Sequence, residues 1–196
     1  AAVMAILIGF DDQMVERTRI LDAIPDTNIV RLSGGHDHTG FEAEPLDIET
    51  LRRVVTELRD KTDAFTVASM YSVRNPSHEH QAQEIIREIT GRPLTVSSDL
   101  SDALDGPRRA LTATLNARII SRIVALITAV RKSLAAESID SRLMIVKGDG
   151  SLASAELVIE RPIETILSGP AASVIGARYL SREKNFLISD IGGTTT

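Results

Sequence analysis

The chain has no cysteine and no tryptophan, and aromatic residues make up only 3% of its 196 residues. The absence of cysteine excludes disulfides, thiolate metal sites and a cysteine nucleophile, so catalysis must use oxygen or nitrogen groups. It also favours a cytoplasmic location. Basic residues do not predominate, because 22 Lys and Arg stand against 27 Asp and Glu, a net charge of −5. This balance argues against nucleic acid as a partner.

Long apolar runs are also lacking. Residues 3–8 are too short to span a bilayer, residues 119–130 are interrupted by Arg122, and no basic, apolar leader opens the chain. These features predict a soluble protein with no membrane partner. With 43% hydrophobic and 25% charged residues, the composition is that of a folded globular protein.

Both ends of the sequence indicate an internal fragment of a longer protein. The chain begins Ala1-Ala2-Val3, without an initiator Met, and ends in two glycines and three threonines. A strand followed by such a glycine turn normally continues into a return strand. We therefore expect the parent protein to extend beyond this chain.

Strand and helix patterns alternate along the chain, which predicts an α/β fold with a parallel or mixed sheet. A long helix is predicted from Pro107 or Arg108 to Ala136, with an apolar stripe from Leu115 to Leu134. A break at residues 101–107 predicts two lobes, 1–106 and 107–196. Strands are predicted at residues 3–8, 28–32, 64–70, 94–97, 143–146 and 185–189.

The strongest local motif lies at residues 186–196. An apolar strand delivers Asp190 to its end, and the two following glycines allow backbone N–H groups to approach an anion closely. Threonine hydroxyls can donate to phosphoryl oxygens, and Asp190 can hold a hydrated Mg²⁺. The alternative is an ordinary polar hairpin turn. The predicted phosphate site comprises Asp190, Gly192, Gly193, Thr194, Thr195 and Thr196, with Asp190 also as the metal ligand.

This motif is neither of two common phosphate-binding loops. No Lys follows the glycines, as a Walker loop requires, and the third glycine of a dinucleotide fingerprint is missing.

Five stretches, in order and spacing, resemble the hydantoinase/oxoprolinase family, specifically hydantoinase A type subunits such as N-methylhydantoinase. The resemblance as a whole covers essentially the whole chain and is loosest before Asp47. The stretches are Ser-Met-Tyr-Ser-Val-Arg-Asn-Pro-Ser-His-Glu at 69–79, Arg-Ala-Leu-Thr-Ala-Thr-Leu-Asn-Ala at 109–117, Gly-Asp-Gly at 148–150, residues 162–177 around Ser168-Gly169-Pro170-Ala171, and residues 190–196.

The resemblance implies an actin-like ATPase (ribonuclease H-like) fold that uses ATP and Mg²⁺ to drive hydrolysis of cyclic amides such as hydantoins and 5-oxoproline. Phosphorylation of a carbonyl oxygen would activate the amide, so the protein mainly positions Mg-ATP and stabilises charge. The resemblance also implies a small-molecule substrate, a hydantoinase B type partner subunit and an oligomeric parent. An alternative is a non-hydrolytic regulatory or carboxylase-type subunit with the same fold.

The sequence departs from the family pattern at two places. The first Asp-x-Gly-Gly-Thr motif, expected before Ala1, is absent, and so is the acid expected after Thr196. We therefore expect the chain by itself to be inactive.

Arg109, Thr112 and Asn116 lie on one side of the predicted long helix, at i, i+3 and i+7. This polar stripe predicts a substrate-binding surface. The alternative is that Thr112 and Asn116 satisfy nearby backbone groups and that Arg109 pairs with an acid such as Asp102 or Asp105.

Two histidine pairs suggest a metal site only weakly. His36 and His38 fall in a loop predicted to be exposed, whereas His78 and His80 fall on a helix, where i and i+2 point apart. Ser168-Gly169-Pro170 is interpreted as a helix cap and first turn rather than as a nucleophile.

Overall fold

The computed structural model describes residues 2–182 and 185–191. The chain forms two compact units, of which the first ends at Arg122 and the second begins at Ile123. The lobe boundary predicted after residue 106 stays a prediction. The α/β class is confirmed, because strands and helices alternate around a parallel sheet.

A four-stranded parallel sheet forms the centre of the first unit, in the order β2-β1-β5-β6. All six residues of β1 and all six of β5 are buried, as expected for parallel strands that are covered on both faces. The strands are β1 (Val3–Ile8), β2 (Ile29–Leu32), β5 (Ala64–Ser69) and β6 (Leu94–Val96). Two short strands, β3 (Gly35–His36) and β4 (Glu42–Glu44), form an antiparallel hairpin.

Helices cover both faces of this sheet. Side chains alternate along β1, so Val3, Ala5 and Leu7 join one core cluster and Met4, Ile6 and Ile8 join another. The first cluster includes residues of α1 and α5, and the second includes residues of α2 and α3. The helices are α1 (Asp12–Thr18), α2 (Ile48–Leu58), α3 (Ser77–Thr90), α4 (Ser97–Leu100) and α5 (Gly106–Ala136), with 3-10 turns at Ile20–Asp22 and Asp26–Asn28.

Helix α5 packs on the sheet largely through alanines. Ala110 and Ala117 are fully buried in the core cluster on that face, and Ile120 joins them. Small side chains let a helix backbone approach a sheet closely. In the second unit, Leu126 of the predicted stripe is 57% exposed, whereas its neighbour Ile127 is buried.

By length and composition, α5 is able to cross a membrane, since an 18-residue window has a mean hydropathy of 1.5. The expectation that no apolar stretch is long enough is wrong on this criterion. Core helices of soluble proteins meet the same criterion, and about a third of this window is buried within the protein.

Among its described residues, the second unit contains the end of α5, an antiparallel strand pair, β7 (Met144–Val146) with β8 (Leu152–Ser154), and the helices α6 (Ala155–Glu160) and α7 (Ser168–Ser181). A 3-10 turn lies between them at Pro162–Thr165. Its core comprises Ile127, Ala153, Ala155 and Val158, with partly buried neighbours such as Ile145.

Two predictions in the second unit are wrong. Residues 185–189 form no strand, because no described residue pairs with them. Ser168 is the first residue of α7 rather than its cap: the N-cap is Leu167, at φ +63°, and no side chain caps the helix. In the first unit, Asn75 Oδ1 accepts from the Ser77 N–H at 3.1 Å, next to the start of α3.

Candidate functional site

In the second unit, the predicted Gly148-Asp149-Gly150 turn joins β7 to β8. The Lys147 N–H donates to the Ser151 carbonyl oxygen at 2.8 Å, and the Gly150 N–H donates to the Lys147 carbonyl oxygen at 2.9 Å. Gly150 has φ +84°, and a Cβ there would lie 2.4 Å from Ile175 Cδ1 of α7. The turn therefore requires glycine and packs directly against α7.

Lys147 connects this turn to the segment before α7. Its Nζ lies 3.1 Å from Glu164 Oε2 and 3.4 Å from Asp149 Oδ2. The hydrogen bond that Lys147 donates to Glu164 is the main factor that raises the pKa of Lys147, and the hydrogen bonds from Ser151 lower the pKa of Asp149. Lys147 and Asp149 are therefore charged at neutral pH, and the contacts of Lys147 fix the turn beside the start of α7.

Asp190 is exposed, and its carboxylate lies next to α7. The Ser173 hydroxyl donates to Asp190 Oδ2 at 2.6 Å. Among the described residues, Oδ1 of Asp190 has no hydrogen-bond partner. The rest of the predicted phosphate site, Gly192, Gly193, Thr194, Thr195 and Thr196, lies outside the described residues.

Within residues 2–182 and 185–191, no three His, Asp or Glu side chains come together as a metal-binding group. Asp190 offers one carboxylate to a cation in this region. Mg²⁺ commonly takes one or two carboxylates and completes its shell with water and phosphate. A magnesium–phosphate complex therefore fits this donor set better than a metal held by protein ligands alone.

In the first unit, Arg109 is buried at the carboxyl edge of the sheet, with only 2% of its surface exposed. Its Nη2 donates to the Ser69 carbonyl oxygen at 2.8 Å and to Ser72 Oγ at 3.0 Å, and its Nη1 donates to the Ala103 carbonyl oxygen. Burial lowers the pKa of Arg109 despite the opposing effect of Glu79. The guanidinium stays charged, because the usual arginine pKa lies far above neutrality.

Glu79, at the start of α3, is the buried anion that faces this network. Its Oε1 accepts from the Ser69 N–H at 2.6 Å and from the Ser97 hydroxyl at 2.7 Å, and its Oε2 accepts from the Ser98 N–H at 3.0 Å. Arg109 Nε donates to the same Ser97 oxygen at 3.4 Å. Glu79 and Arg109 thus tie α3, β5, α4 and α5 together.

No motif or spacing indicates that Glu79 and Arg109 share a network, because the two residues are 30 positions apart. The only available signal was that Ser69 and Glu79 are the first and last residues of the 69–79 stretch, which carries part of the family resemblance.

The other two residues of the predicted substrate stripe also make internal contacts. Thr112 donates to the Arg108 carbonyl oxygen of its own helix at 2.9 Å, and buried Asn116 donates to Thr95 Oγ1 at 3.1 Å. These contacts favour the alternative in which the stripe satisfies neighbouring groups. Thr112 satisfies a backbone group as that alternative expects, and the charge of Arg109 is opposed by Glu79 first and by the expected Asp105 second. Substrate binding by Arg109, Thr112 and Asn116 stays a prediction.

The carboxyl edge also brings together two histidines, one from each sequence pair. The rings of His36 and His78 lie 4.3 Å apart. His78 Nδ1 accepts from the Gly35 N–H at 2.9 Å, so its Nε2 carries the proton and donates to Glu42 Oε1 at 2.8 Å. The prediction that residues 36–40 form an exposed loop is wrong for His36, which is 4% exposed.

His36 has a hydrogen-bond partner at only one ring nitrogen. Its Nε2 lies 3.1 Å from the Ser77 hydroxyl, and its buried Nδ1 has no partner among the described residues. Burial is the main factor that lowers the pKa of His36. The histidines do not form a four-residue metal site, because His80 instead lies 3.7 Å from Asp99 and is half exposed.

Two glycines, Gly9 and Gly34, lie where two backbone segments cross closely behind this histidine pair. Gly9, at the end of β1, has φ +72°, and a Cβ there would lie 2.6 Å from the Gly34 carbonyl oxygen. The Gly9 N–H donates to the Leu32 carbonyl oxygen at 3.0 Å, which extends the β1–β2 ladder by one residue. The two backbones therefore cross without room for a side chain.

Comparison with protein families connects both units to one group of proteins. Residues 2–90 match the model described as hydantoinase/oxoprolinase N-terminal region, and residues 109–196 match the model described as hydantoinase/oxoprolinase. The chain belongs to the hydantoinase/oxoprolinase family. The resemblance carried by the five sequence stretches is thereby confirmed.

Individual members of the hydantoinase/oxoprolinase family are only distantly similar to the chain. It is 28% identical to the acetophenone carboxylase gamma subunit of Aromatoleum aromaticum, over 81% of this chain and 23% of that protein. It is also 28% identical to 5-oxoprolinase 1 of Arabidopsis thaliana, over 78% of this chain and 12% of that protein. The chain thus spans about a quarter or less of the length of these curated relatives.

The fold agrees with a solved structure of the same group. The crystal structure of the ATP-dependent caprolactamase from Pseudomonas jessenii superposes with a TM-score of 0.71 and 20% sequence identity, over 92% of this chain and 28% of that one. This similarity confirms the predicted actin-like ATPase-type fold.

Proposed function

We propose that the complete protein uses ATP to drive the hydrolysis of a cyclic amide of the hydantoin or 5-oxoproline type, and that Mg-ATP binds through residues 190–196. The observation that carries this proposal is the position of Asp190, exposed and held by Ser173 of α7, in the segment matched by the hydantoinase/oxoprolinase model. The relative named 5-oxoprolinase 1 and the ATP-dependent caprolactamase support the substrate class and the use of ATP.

The proposed roles follow from the chemistry of each group. Ser173 orients the Asp190 carboxylate through Oδ2 and leaves Oδ1 for a hydrated Mg²⁺. Gly192 and Gly193 would present backbone N–H groups to phosphate, and Thr194, Thr195 and Thr196 would donate hydroxyls. When bound, Mg-ATP would supply the phosphoryl group that activates the amide oxygen and weakens the C–N bond.

A second candidate function is that of a carboxylase-type or regulatory nucleotide-binding subunit. It is favoured by the similarity to the acetophenone carboxylase gamma subunit, whose name also indicates a multi-subunit enzyme. A hydantoinase B type partner, an oligomeric parent and a cytoplasmic location stay predictions from the sequence.

The first experiment measures ATP turnover by the complete protein with and without hydantoins and 5-oxoproline. We expect turnover to rise with one cyclic amide and to yield its ring-opened product. ATP binding without amide-dependent turnover would favour the carboxylase-type or regulatory subunit instead.

The role of Asp190 is tested by Asp190→Asn, which keeps the size of the side chain but removes its charge. We expect amide-dependent ATP turnover to fall by about a hundredfold, the usual scale for loss of one group that stabilises developing charge. Asp140→Asn removes another exposed carboxylate of the second unit and is the matched control. Equal turnover by the Asp190→Asn variant and the unmodified protein would exclude Asp190 as the magnesium ligand.

A further inference from the structure

A cavity of about 270 Å³ lies in the first unit, between the end of α1 and the start of α5. Three arginines line it, Arg17 and Arg19 from the first element and Arg108 from the second, together with one acid, Asp105. The lining therefore has a net charge of +2 in a chain whose overall charge is −5. None of the residues that line the cavity belongs to the predicted phosphate site.

Two of the three guanidinium groups lack a counterion. Arg19 pairs with Asp22 at 2.8 Å, but within the described part of the chain neither Arg17 nor Arg108 has a carboxylate oxygen within 4.0 Å. The nearby Asp105 uses Oδ1 to accept the backbone N–H of Arg108 at 3.2 Å, which fixes the first turn of α5. Like charges around one cavity repel, so an anion bound there relieves an unfavourable arrangement.

The backbone that presents Arg17 and Arg19 is firmly held. Thr18, between them, is buried; its hydroxyl donates to the Val15 carbonyl oxygen at 2.6 Å and accepts from the Ile20 N–H at 2.9 Å. Arg19 adopts φ +54° at the end of α1. The two guanidinium groups therefore start from a fixed turn rather than from a mobile loop.

We propose that this cavity is a binding site for a small phosphate-type dianion. Guanidinium groups match phosphate oxygens in pairs of parallel hydrogen bonds, and two unpaired arginines supply the two positive charges that a dianion needs. The cavity is concave and of small-molecule size, which favours a phosphate or phosphomonoester over the flat surface that an acidic protein segment would require. The proposal is independent of the function proposed for Asp190.

The test uses the complete protein, inorganic phosphate as the probe and phenylglyoxal as an arginine-specific reagent, with modification of each arginine read by peptide mass spectrometry. At constant ionic strength, we expect a phosphate concentration of about four times Kd to slow modification of Arg17 and Arg108 about fivefold. Arg92 and Arg118, exposed arginines of the same unit, are the internal controls. Protection of all four arginines alike, or of none, would overturn the proposal.

Paired variants provide a second readout by calorimetry. Arg17→Gln with Arg108→Gln is expected to weaken the phosphate Kd by about a hundredfold, on the scale of two charge-assisted contacts. Arg92→Gln with Arg118→Gln changes the net charge equally and should leave the Kd within about twofold, because screened distant charges contribute little. Equal losses in both double variants would mean a general charge effect and would contradict a built site.

Discussion

The two units of the chain differ in how they use their apolar residues. In the first unit, β1 and β5 are buried at every position, and two core clusters cover opposite faces of the sheet. In the second unit, no residue of α7 is buried, and Tyr179 and Leu180 are 82% and 79% exposed. Its buried core has four members.

The two units therefore differ in the interactions that stabilise them. The stability of the first unit derives from apolar burial and from a buried charge network, both complete within the described residues. In the second unit, the turn at residues 148–150 and the start of α7 are held largely by short-range polar contacts, such as the ion pairs of Lys147 with Glu164 and Asp149. Burial contributes more free energy than exposed ion pairs do, so we expect the first unit to unfold last.

The largest effect is expected at Arg109. Arg109→Ala leaves Glu79 buried without its counter-charge, and loss of one partner of a buried pair commonly costs about 3–5 kcal/mol. Hydrogen exchange across β1 and β5 in the complete protein would measure this loss. Arg131→Ala, which removes an exposed ion pair with Glu156 in the second unit, is the control and should change exchange little. Similar effects of both variants would contradict the view that buried charges stabilise the first unit more than exposed ion pairs stabilise the second.

A smaller effect is expected from matched leucines. Leu51, on α2, is fully buried, and Leu51→Ala should lower the free energy of unfolding of the first unit by about 2–5 kcal/mol. Leu180, on α7, is 79% exposed, and Leu180→Ala should change stability by no more than about 0.5 kcal/mol. Urea unfolding followed by hydrogen exchange measures both. A large loss for Leu180→Ala would show that α7 is covered in the complete protein.

The smallest effect is the pH dependence contributed by His36. Its pKa is lower in the folded protein than in the unfolded chain, so the unfolded chain binds the proton first as the pH falls. The contribution to stability is therefore present above about pH 6.5 and is lost as the pH decreases towards the folded pKa. His36→Gln should flatten this slope between pH 8 and pH 5 in urea unfolding.

His80→Gln, which alters a half-exposed histidine of the same unit, is the control for His36 and should leave the slope unchanged. A slope that persists in the His36→Gln variant would assign the pH dependence to another group.

Periodicity was sufficient to predict most elements of the first unit. The continuous apolar run of β1 matches an observed strand, since local pattern and tertiary burial agree there. The alanine-rich face of α5 that packs on the sheet was not predictable in this way, because alanine carries little hydrophobic signal.

The candidate sites were less predictable because they depend on contacts between distant segments. His36 joins His78 across 42 positions, and Arg109 meets Ser69 across 40. No spacing rule relates such residues before the strand order is known. The failed strand at 185–189 has a related cause, because a strand needs a pairing partner and local apolarity does not provide one.

The crossing of Gly9 and Gly34 limits how the carboxyl edge of the first unit can evolve. A Cβ on Gly9 would lie 2.6 Å from the Gly34 carbonyl oxygen, so no residue other than glycine fits at this position. New chemistry next to this crossing therefore depends on the side chains around it, among them His78, whose Nδ1 lies 3.4 Å from the position of a Cβ on Gly34. Two residues without side chains thus fix the backbone against which the histidine pair is placed.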